Sequence, residues 1–153
     1  MNDILCRAIK RAQIPVVKEP AGLLQQDGKR PDGTTLLPWA RGKPMAWGVT
    51  VPDTYAESHI SNTAREAGAA ANRASASKTG KYGALYVSHI FVPIAVETAG
   101  TWGKSAIELV QEIGKRITTV TEDTRETMFL FQQLSIALQK GNAIAFQTTF
   151  ETE

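Results

Sequence analysis

Lys29-Arg30-Pro31-Asp32-Gly33, preceded by Lys18-Glu19-Pro20 and followed by Met45-Ala46-Trp47-Gly48-Val49-Thr50-Val51, decides how this chain is read. Val16-Val17-Lys18-Glu19 is short and β-branched, a strand that Pro20 ends. The Pro31-Asp32 pair opens a second strand, Thr34 to Leu37, which Pro38 closes. Arg41-Gly42-Lys43-Pro44 reads as the loop of a hairpin, with Met45 to Val51 returning as its partner strand. Alternation puts Trp47, Val49 and Val51 on one face of that strand. Ala46, Gly48 and Thr50 form a small face on the other, suited to line a cleft.

Outward from this stretch the pattern is helical on both sides. Upstream, Ile4, Leu5, Ala8, Ile9 and Ala12 recur at helical spacing, with Asn2 or Asp3 as the cap and Arg7, Lys10 and Arg11 opposite. Downstream, Asp53 or Thr54 starts an alanine-rich helix from Tyr55 to about Lys78. Tyr86 to Val96 follows as a largely apolar strand, in which Pro93 marks an edge or a bulge. Lys104 to Thr119 is an amphipathic helix on Ala106, Ile107, Val110, Ile113 and Ile117. A last helix runs from Thr124 to about Lys140, with Gly141-Asn142 as its stop. Ala143 to Glu153 is left as a short helix or a docked tail. The expected fold is α/β: one domain over residues 1–153, with helix and site strands in 1–51, helix and core strand in 52–98, and C-terminal helices in 104–142.

Composition narrows the function classes. A chain of 153 residues can bury roughly 70% of its unfolded surface. With 42% apolar and 21% charged residues it has the balance of a globular protein. No run of 18 apolar residues spans a bilayer, and Arg7 interrupts any apolar leader, so an intracellular place, nuclear or cytoplasmic, is expected. Cys6 stands alone, which excludes an internal disulfide and a cysteine-based zinc site. The net charge is only +2, yet up to Lys43 eight basic residues face four acidic ones. The excess gathers around the Glu19–Val51 stretch, where a phosphate backbone would approach. No small-molecule site is evident. Taken residue by residue, Asp32 also fits a plain turn before a strand, and Glu19 a solvated strand end.

The ordered set of Glu19, Arg30-Pro31-Asp32 and the Gly48-Val49-Thr50-Val51 strand resembles the metal-dependent nuclease superfamily with the PD-(D/E)xK signature. The wording is most similar to the restriction-like endonuclease domain of non-LTR retrotransposons and related retroelement-derived animal proteins. The resemblance implies a core of helix, three-stranded meander, helix and strand. It implies phosphodiester hydrolysis of DNA with Mg2+ or Mn2+, with Asp32 as central metal ligand and Glu19 as auxiliary ligand. Thr50 stands where the superfamily usually has its lysine, a role that Lys81 or Lys78 would take over. Lys29, Arg30, Lys43 and Lys78 would meet nucleic-acid phosphates. The second central acid is missing, because glycine occupies position 48 and has no ligand atom. The implied function is therefore a degenerate endonuclease domain, weakly active or inactive. The alternative is a non-catalytic nucleic-acid-binding or protein-interaction module on the same fold.

Overall fold

The structure is a computed structural model that describes residues 1–19, 31–51, 71, 73–75 and 88–151, with backbone alone for 144–151. The alanine-rich helix expected over Tyr55–Lys78 falls almost wholly outside the described residues, although 71 and 73–75 are helical. Lys29, Arg30, Lys78 and Lys81 also lie outside them.

Chain order runs α1 (Asn2–Arg11), β1 (Val16–Lys18), β2 (Gly33–Thr35), β3 (Met45–Thr50), β4 (Ile90–Ala95), α2 (Lys104–Thr121) and α3 (Glu126–Glu151). The strands form one mixed sheet in the order β1-β2-β3-β4. β1 and β2 are antiparallel, as are β2 and β3. β4 lies parallel to β3, Gly48 opposite Pro93 and Thr50 opposite Ala95. A parallel neighbour needs a long crossover, which the chain between Thr50 and Ile90 supplies. Pro93 lacks a ladder donor and is placed as its chemistry requires, on a strand with a described neighbour on one side only.

The core follows the apolar periodicity. Leu5 and Ile9 of α1 pack with Met45 and Trp47 of β3, and with Val110, Ile113 and Ile117 of α2 and Leu134 of α3. Trp47 is fully buried, the largest side chain to be so. Fully burying an apolar side chain of this kind contributes about 1.5–3 kcal/mol.

Four expectations shift. β2 begins and ends earlier than Thr34–Leu37, and Leu36 and Leu37 are exposed. The reason is Thr35: its hydroxyl accepts the Met45 amide at 2.9 Å and donates to the Leu37 carbonyl at 2.9 Å, so the side chain replaces the ladder and turns the chain out. The second face of β3 is not an open small-residue cleft, since Ala46 and Gly48 are buried and Thr50 is half-buried. In α2 it is Leu109 that is buried, while Ile107 faces outward. Finally, α3 runs straight through Gly141-Asn142. Asn142 Nδ2 donates to the Thr98 carbonyl at 2.8 Å, a tertiary bond that holds the helix past the glycine. A methyl group at Gly141 would meet nothing within 4 Å. Gly141→Ala is therefore expected to stabilise the fold by about 1 kcal/mol, read as a higher urea midpoint at unchanged slope.

Candidate functional site

Asp32 sits where three strands meet, at the mouth of β2. Its amide donates to the Trp47 carbonyl of β3 at 2.8 Å, and its carbonyl accepts from the Glu19 amide beyond β1 at 3.0 Å. Its backbone is thus split between the two neighbouring strands. The carboxylate turns toward β3, where Oδ2 accepts the Val49 amide. Glu19 and Asp32 are bends one residue beyond the paired ends of β1 and β2 and are joined to each other by the Glu19 amide, while Asp32 bonds Trp47 and Val49, on either side of Gly48. The three positions named from the motif are therefore neighbours along a short row, two of them at the strand ends and only Gly48 within a strand.

The row is not equally furnished. Asp32 is half-buried, Glu19 is exposed, and Gly48 is buried with no side chain to offer. Glu19 holds a left-handed backbone, φ 46°, unusual for a residue with a Cβ. Thr50, two residues beyond Gly48 on the same strand, is half-buried, and its carbonyl accepts the Val96 amide at 3.1 Å. Lys43 is not in the row. It precedes Gly48 by five residues of extended chain, ~16 Å at about 3.3 Å per residue. There it lines a pocket of about 300 Å³ with Arg41, His89 and Phe91, at the starts of β3 and β4. Burial lowers the His89 pKa below its ordinary value, and Nδ1 shares a 2.7 Å hydrogen bond with the Ser88 hydroxyl.

The donor set among the described residues falls short of the metal site that the resemblance implies. Among the described residues no group of three or more His, Cys, Asp or Glu side chains could hold an ion. Asp32 and Glu19 leave the arrangement one carboxylate short, and one oxygen of Asp32 is already committed to the Val49 amide.

Sequence reasoning missed Asn2, which it took as a helix cap. Asn2 caps nothing in α1. Its Nδ2 donates to the Asp32 carbonyl at 3.0 Å and its Oδ1 accepts the Trp47 indole Nε1 at 2.8 Å. One amide thus fastens α1 to the mouth of β2 and to the central strand. Asp3 makes an adjacent tie, an ion pair with Lys18 that holds its carboxyl below the usual carboxylate range. No local signal marks either role, because the partners lie far along the chain. Asn2→Ala leaves the indole N–H of the buried Trp47 without its acceptor. It is expected to cost about 1–3 kcal/mol in denaturant unfolding followed by tryptophan fluorescence. Cys6 lies close by in the core, and burial pushes its thiol pKa up, so it stays a packed apolar group.

Compared with known proteins, the chain matches no family model and no curated sequence.

Proposed function

We propose that the chain is a degenerate PD-(D/E)xK-type DNA endonuclease domain of retroelement origin that holds nucleic acid without cutting it efficiently. The observation that carries this reading is the adjacency of Glu19, Asp32 and Gly48, with Asp32 bonded to the Glu19 amide on one side and to Trp47 and Val49, which flank Gly48, on the other. An antiparallel meander followed by a strand parallel to β3 is further support, as is the helix packed at its start. Gly48 accounts for the loss of catalysis. With no carboxylate there, the row offers a divalent ion only Asp32 and an exposed Glu19 among the described residues. The Asp32 carboxylate keeps a structural role, accepting the Val49 amide. Arg41 and Lys43 then offer a phosphate contact away from the row.

The test compares the native chain with Asp32→Ala and Gly48→Asp. Supercoiled-plasmid nicking in Mg2+ or Mn2+ is expected at background level for the native chain and unchanged in Asp32→Ala. Duplex DNA is expected to bind at low salt and to be released as salt rises. Gly48→Asp, with near-ultraviolet dichroism as the check on folding, is expected to gain Mn2+ affinity by calorimetry. Nicking that Asp32→Ala abolishes would show an active enzyme instead. A chain that binds no DNA, and whose Gly48→Asp variant folds yet takes no metal, would end the nuclease lineage.

A further inference from the structure

On the side of the molecule formed by the first and last helices lies a second concavity. α1 and α3 enclose a groove of about 410 Å³. Its floor is apolar: Ile4 and Ala8 from α1, Ile136 and Ala137 from α3. Ile136 remains 51% exposed, a large apolar side chain left in water at the middle of a helix. The rim is cationic on both walls. Arg7 and Arg11 stand one turn apart on α1, and Lys140 faces them from α3. Among the described residues no acidic side chain lines the groove. Arg11 is held by Glu126 through a 2.9 Å ion pair, whereas Arg7 and Lys140 pair with no acid among the described residues.

We infer that this groove docks an acidic amphipathic helix from a partner protein. The charge pattern selects this occupant. Cations on both walls of an apolar floor call for a ligand with an apolar stripe flanked by acids on either side, the pattern of an amphipathic helix. A phosphate backbone would satisfy the rim but leave the Ile4 and Ile136 floor in water. A second copy presenting the same groove would set like charge against like charge. A bilayer surface takes up an apolar face that protrudes, not one recessed between helices. The inference stands apart from the Asp32 row, since none of the groove residues belongs to that row.

The test is selection from a displayed library of amphipathic peptides of about 15 residues, roughly four helical turns. The native chain is compared with the double variant Arg7→Glu/Lys140→Glu and with Ile136→Asp, all three checked for folding by circular dichroism. The native chain is expected to enrich a Leu/Ile/Phe stripe flanked by Asp and Glu, and the selected peptide to gain helicity on binding. Charge reversal is expected to weaken that peptide about tenfold or more and to enrich Lys/Arg-flanked sequences instead. Ile136→Asp should weaken both kinds of peptide. Absence of enrichment, or enrichment indifferent to charge reversal and to Ile136→Asp, would overturn the proposal. So would a duplex-DNA titration in which the reversal abolishes DNA binding while peptides stay unaffected, which would assign this face to nucleic acid.

Discussion

Gly33→Ala is expected to destabilise the fold by ~3 kcal/mol or more, at the upper end of overpacking changes. Gly33 pairs with Trp47 across β2 and β3, and the indole occupies the space that a side chain at 33 would need. A Cβ there would come within 2.6 Å of Trp47 Cε2 and closer still to two other ring carbons. Trp47 has no room to yield, being fully buried among the core residues of α1 and α2. Any shift also breaks the 2.8 Å bond from its indole to Asn2, leaving a buried donor unpaired. Tryptophan fluorescence and near-ultraviolet dichroism should change together with the denaturation midpoint. A variant with a native midpoint and spectrum would refute the placement of Trp47.

Gly114→Ala is the second large effect, expected at about 1–3 kcal/mol. Gly114 faces α3 from the middle of α2, and an added Cβ would sit 2.7 Å from the Thr127 Cα. The obstacle is backbone, so rotating a side chain cannot relieve it. The helices must separate, loosening Ile113 and Ile117 against Leu130 and Leu134. For a domain of this size each kcal/mol lowers Tm by about 2–4 °C. The same glycine-to-alanine change thus has opposite signs at 114 and 141. Scanning calorimetry on the two variants tests the helix contact directly. A Gly114→Ala protein that melts at or above the native temperature would contradict it.

Much of the fold was legible because it rests on local pattern. The apolar spacing of α1 and α2 and the β-branched run after Trp47 each announce an element whose burial the sheet and helices then satisfy. Even Pro93, read as an edge or bulge marker, lies on a strand that pairs with β3 alone among the described residues. What was not legible depends on distant partners. Thr35 leaves the ladder because its hydroxyl meets Met45, ten residues on. Gly141 fails to stop α3 because Asn142 reaches Thr98. Asn2 looks like a cap until β2 and β3 bring Asp32 and Trp47 to it. For the candidate site, the motif named three positions that prove to be backbone neighbours, and it also named Lys43, which strand geometry carries away from them. Residue order says which strands can be neighbours. It says little about which strand end a basic residue will occupy.

The two margins of the sheet bear on how the protein behaves when concentrated. β1 is only three residues long and ends at Lys18, whose ammonium is engaged by Asp3. β4 carries a ring where an amide hydrogen would otherwise await an incoming strand. As edges of the sheet among the described residues, a brief, charged border on one side and a blocked donor on the other leave little template for polymerisation by strand addition. Fibril growth seeded from the native state is disfavoured at both margins.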